Sequence, residues 1–77
     1  MASPACGSTA VLVSNVRAAR LAAGLTQEEL SRRCGVSRQT IISIERGVHA
    51  PTLMLAFLLA RELDQRVDAL FALEGTP

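Results

Sequence analysis

The sequence predicts an all-α fold, a compact domain of five helices. Three observations point there. Apolar residues recur at helical spacing, as in Ile41 and Ile44. Helix-start residues (Thr26, Ser37, Thr52) alternate with helix-stop glycines (Gly24, Gly35, Gly47) at short intervals. No segment requires a strand, and no internal repeat is present.

The elements follow in order. Residues 1–13 are expected to be a disordered or strand-forming tail. Within them Ala10–Val13 is apolar and β-branched; it either leads into the first helix or adds a strand to a partner. The first helix should run from Asn15 to Ala23, capped by Ser14 and stopped by Gly24. The second follows Thr26, which with Glu29 has the spacing of a capping box, and ends at Gly35. A tight turn at Gly35-Val36-Ser37 leads to a third helix, capped by Ser37 and closed by Gly47. Ala50-Pro51 is extended, because proline disfavours the α region in the residue before it. A fourth helix covers Thr52–Leu63 and a last short one Val67–Leu73. The domain is thus placed at 14–73, with a tail at 74–77. Helical spacing nominates Val16, Leu21, Leu25, Leu30, Val36, Ile41, Ile44, Leu53, Leu59, Leu63, Val67, Leu70 and Phe71 as core.

Size and composition narrow the function classes. The chain has 77 residues, enough for one small domain that buries only about 60% of its unfolded surface. Two phenylalanines and no Trp or Tyr leave an aliphatic core. The net charge of +1 argues against a general polyanion binder. Its distribution is uneven: residues 1–50 hold six arginines against three glutamates, and residues 51–77 two arginines against four acids. Every basic residue is arginine, the side chain suited to bidentate contacts with phosphate or guanine. Cys6 and Cys34 form neither a disulfide framework nor a zinc site, and Cys34 reads as a small core hydrophobe. His49, Cys34 and Ser37 have no spacing suited to nucleophilic catalysis, so no enzyme, metal or cofactor is expected. There is no signal-peptide pattern, and the longest apolar run, Leu53–Ala60, cannot span a bilayer. A cytoplasmic location and no membrane partner are therefore expected.

The third helix carries the chemistry. With Ile41 and Ile44 facing inward, Arg38, Gln39, Ile42, Ser43 and Arg46 fall on the opposite side. A solvated face would usually include acids, and this one has none. Arginine matches guanine and glutamine matches adenine in the major groove, each pair contributing about 1–3 kcal/mol of discrimination. Ile42 has two readings of equal weight: contact with a thymine methyl, or extra core or dimer packing. Gln27 opens the second helix, where free N–H groups attract phosphate, although it also suits a first turn for its own sake. Glu28 and Glu29 follow it and should point away from any DNA. Glu45 sits near a helix C-terminus, where the dipole disfavours its charge. A cation must offset it, and Arg20 fits better than His49.

From Val16 to Leu73, about three-quarters of the chain, the sequence resembles the lambda-repressor-like helix-turn-helix domains of the Xre/Cro type. The segments VRAARLAAGLTQEEL, GVSRQTIISIERG and PTLMLAFLLARELDQRVDALF carry the resemblance in order and spacing. It implies that Gln27 anchors the second helix to phosphate and that Arg38, Gln39 and Ser43 read bases. It also implies that Arg46 and the backbone of Gly47 and Val48 contact phosphate, and that Arg20 and Glu45 form a buried salt bridge. The chain departs from the family at Met54 and Leu58, where charged residues are common. With Phe57 they form an apolar stripe, either an interface or a deeper core.

These residues together predict a sequence-specific, DNA-binding transcriptional regulator with double-stranded DNA as partner. As a homodimer it would read an inverted repeat, its two recognition helices about 34–36 Å apart in successive major grooves. The alternative is an antitoxin-like or phage-type regulator that acts mainly through a protein partner.

Overall fold

The computed structural model describes residues 11–74. Strand β1 (Val11–Ser14) leads into α1 (Val16–Ala22), α2 (Gln27–Cys34), α3 (Arg38–Glu45), α4 (Leu53–Leu63), α5 (Val67–Leu70) and strand β2 (Phe71–Glu74). The expectations for residues 1–10 and 75–77, including that for Cys6, lie outside the described residues.

Local chemistry sets the helix boundaries. Thr26 and Glu29 form the capping box: Glu29 N–H donates to Thr26 Oγ1 and Thr26 N–H to Glu29 Oε1, both at 3.0 Å. Ser37 and Thr52 accept from Thr40 N–H and Leu55 N–H, each at 3.1 Å. The four long helices end alike. At α3, Gly47 N–H donates to Ile44 O and Val48 N–H to Ser43 O, with Gly47 at φ +73°, the paired closure of a left-handed C-terminus. At the end of α4 an aspartate, Asp64, takes the left-handed position at φ 53°. Ser14 does not cap α1 in that manner. Asn15 holds the cap position, and Ser14 Oγ accepts from Val16 N–H at 3.3 Å.

The all-α expectation is corrected by a two-stranded antiparallel sheet that joins the two ends of the described chain. Val11 lies opposite Glu74 and Ser14 opposite Phe71, so β1 pairs within its own chain. The last helix accordingly stops at Leu70, not Leu73. Leu70 O accepts from Asn15 N–H at 2.7 Å, in place of the next-turn amide that would extend the helix. Phe71 then turns extended at φ −135° and ψ 140°. Leu12 and Val13, placed in the tail by sequence, therefore pair with Leu73 and Ala72 of the domain, and Val11 pairs with Glu74 of the other tail.

The core gathers Val16, Leu30, Ile41, Ile44, Leu59 and Leu70, all nearly inaccessible to solvent. Two expected members are outside it: Leu21 is 57% exposed and Leu53 74%. The inward position on α1 next to Val16 is taken by Arg20, four residues on, which turns Leu21 outward. On α4 the buried stripe is Leu55, Ala56, Leu59, Ala60 and Leu63, leaving Leu53 on the other side. Cys34 is buried, as expected of a small hydrophobe, and burial followed by the nearby Glu62 pushes its thiol pKa up.

Candidate nucleic-acid interface

α2 and α3 are packed together and joined by three residues, Gly35, Val36 and Ser37. Burying Ile41 and Ile44 against this frame turns the other side of α3 outward. Arg38, Gln39 and Arg46 are exposed; Ile42 and Ser43 are half-buried. This face carries no acid.

Three shallow depressions border it. Arg38 shares one with Gln27 and Glu28, beside the loop that precedes α2. Gln39 and Ser43 line a second with His49 and Thr52. Ile42 and Arg46 line a third with Gln27 and Arg17. Gln27 thus stands at the meeting of two depressions. Of the two acids beside it, only Glu29 turns away, into the capping box. Its hydrogen bonds from Thr26 hold its carboxyl below the usual carboxylate range. Glu28 lines the Arg38 depression, contrary to the expectation that both acids avoid this side.

Arg20 and Glu45 meet beneath the face. Arg20 Nε donates to Glu45 Oε2 at 2.6 Å and Nη2 to Glu45 Oε1 at 3.3 Å, with the two side chains 9% and 3% exposed. Arg20 Nη1 donates to Leu25 O at 2.8 Å. Gln27 completes the group, its Nε2 donating to Glu45 Oε1 at 3.1 Å. No spacing signals that last bond, because Gln27 and Glu45 are eighteen positions apart on different helices. The bond uses one amide proton of Gln27 and leaves the other and Oε1 available. The N–H groups of Gly47 and Val48 are already donated to α3 carbonyls, so a phosphate there has to share them.

On α4, Leu53 joins Met54, Phe57 and Leu58 around one shallow depression. Met54 and Phe57 are exposed at 75% and 60%, next to Leu53. Leu58 is half-buried and packs against the core. Arg61 borders the group. Sequence reasoning assigned nothing to Arg17 or His49, which the fold brings beside α3. Among the described residues, no cluster of His, Cys, Asp or Glu is arranged to hold a metal ion. No helix there is long and apolar enough to cross a membrane.

A capped helix, a glycine-closed turn and a second helix with a free basic face define the Cro/repressor-like helix-turn-helix class of DNA-binding folds. The chain belongs to the helix-turn-helix family, whose model matches residues 16–70. It is 47% identical over 60 residues to an uncharacterised helix-turn-helix-type transcriptional regulator of Methanothermobacter thermautotrophicus, covering 77% of this chain and 87% of that one. A similarly named protein of Archaeoglobus fulgidus is 41% identical over 58 residues, covering 75% and 83%. Among solved structures, the restriction-modification controller protein C.AhdI from Aeromonas hydrophila is similar. It has a TM-score of 0.64 and 35% identity, covering 68% of this chain and 79% of that one.

Proposed function

We propose that the chain is a sequence-specific DNA-binding transcriptional regulator that works as a homodimer on an inverted repeat. The observation that carries this reading is the acid-free outer face of α3, held outward by the buried Ile41 and Ile44. In this reading Arg38, Gln39 and Ser43 contact base edges, with Ile42 against a thymine methyl, while Gln27 and Arg46 contact phosphate. Gly47 and Val48 shape the turn that presents Arg46. The names of the relatives support the regulatory role. The second copy is assigned to the Met54, Phe57 and Leu58 face with Leu53 beside it, because an exposed apolar group of this size on so small a domain usually marks a contact surface. A bound duplex selected from a random pool supplies the probe. Arg38→Ala with Gln39→Ala is expected to abolish preference for that duplex in a gel-shift assay; unchanged preference refutes the assignment. Met54→Glu with Phe57→Glu is expected to give monomers in sedimentation and weaker binding. These positions serve better than Leu58, whose replacement also disturbs the core. A dimer that survives the pair of changes places the interface elsewhere, and a partner protein is then the better occupant of this face.

A further inference from the structure

We infer that Arg17, on α1 and outside the helix-turn-helix, contacts the phosphate backbone and belongs with Gln27 and Arg46 in the DNA interface. The inference rests on the proposed docking of α3. Arg17 is exposed and lines the same depression as Gln27, Ile42 and Arg46. The one acid in that depression, Glu45, has both oxygens occupied by Arg20 and Gln27. Among the described residues neither Arg17 nor Arg46 makes a salt bridge, whereas Arg20, Arg61 and Arg66 each do. Two arginines therefore line one depression in which, among the described residues, no acid is left to neutralise them. Arg17 is also unfavourably placed for its own helix. It lies in the first turn of α1, where the dipole favours acids over cations, and that turn holds no acid to offset it. A position that costs the helix and adds charge beside the groove-facing surface suits a polyanion.

A phosphate contact has a distinct signature in salt. Each neutralised phosphate adds about 0.9 to the slope of log affinity against log salt. Binding of wild type, Arg17→Ala, Arg17→Lys and, as an exposed control on α2, Arg33→Ala is measured by fluorescence anisotropy, on the selected duplex and on a random one. Arg17→Ala is expected to lower the slope by about 0.9 per protomer. The wild-type advantage should then shrink about 3.5-fold per protomer between 50 and 200 mM salt. Both duplexes should lose affinity by the same factor, Arg17→Lys should restore the slope, and Arg33→Ala should leave it unchanged. A merely structural role predicts a lower melting temperature for Arg17→Ala; the dipole argument predicts an equal or higher one. If wild type prefers its duplex and Arg38→Ala removes that preference, yet Arg17→Ala keeps the wild-type slope, the inference fails alone. If wild type binds no duplex, it fails together with the reading it rests on.

Discussion

Removal of Glu45 tests the central ion pair most directly. Glu45→Ala deletes the acceptor of two Arg20 hydrogen bonds and one from Gln27, and leaves the guanidinium with only the Leu25 carbonyl. Both side chains are almost wholly buried, so a stranded charge cannot be rescued by water without opening the α1–α3 contact. Breaking such a pair costs about 3–5 kcal/mol. A domain of 77 residues has about 4–12 kcal/mol of total stability, so the variant should lose at least a quarter of it and in the limit unfold. Replacing both partners by apolar residues of similar size, Arg20→Met with Glu45→Leu, should behave differently. Eliminating a buried pair this way is often neutral or stabilising by about 1–4 kcal/mol. Here the orphaned Leu25 carbonyl sets about 1–3 kcal/mol against that gain, which leaves the double variant close to wild type. The measurement is urea unfolding at fixed protomer concentration, followed by far-ultraviolet circular dichroism because the chain has no Trp or Tyr. If Glu45→Ala costs under about 1 kcal/mol, or if the double variant falls by the sum of the two single ones, the pair is not coupled as argued.

Four further outcomes follow from particular residues. Thr26→Ala should cost about 1 kcal/mol through loss of the α2 cap, read as a lower urea midpoint at constant m-value. Glu29, whose carboxyl is held low, contributes stability that is present above the ordinary carboxylate range and lost as pH falls through its lowered value. Glu29→Ala should flatten that part of an acid titration of stability, and an unchanged profile would contradict the cap's role in it. Asp64→Gly should stabilise by about 0.5–1 kcal/mol, the relief of a left-handed aspartate less the extra freedom of an unfolded glycine. That corresponds to a rise of about 2–8 °C in melting temperature, and a fall would count against strain at that position. In a Cys6→Ser background, Cys34 should react with a thiol reagent no faster than the domain opens. Its thiol pKa is raised, so its contribution to stability should be present below the unfolded value and fade as pH rises through the folded one. Labelling at the rate of a free thiol would show that Cys34 is not enclosed.

What the sequence disclosed and what it hid divide along chain distance. The caps at Thr26, Ser37 and Thr52 and the closures at Gly24, Gly35 and Gly47 act over three to five residues, so they can be read directly from order and spacing. The sheet cannot, because β1 and β2 stabilise each other from opposite ends of the described chain. Taken alone, Val67–Leu73 has helical spacing as good as its strand pattern, and the choice is made by Asn15 and β1. Leu21 falls outside the core for a related reason: apolar periodicity passes over Arg20, which occupies the inward position, where Glu45 meets it. The charge of Glu45 at a helix C-terminus calls for that partner but gives no hint of Gln27, whose bond depends on how α2 packs on α3. The buried group is therefore more than a clamp between α1 and α3. One carboxylate orients the guanidinium of Arg20 and one amide proton of Gln27 at once, which fixes the residue proposed to hold phosphate relative to the helix proposed to read bases. Loss of Glu45 should accordingly loosen that registration even where the fold survives. Arg17, three residues before Arg20 on the same helix, gains its position beside α3 from the same contact.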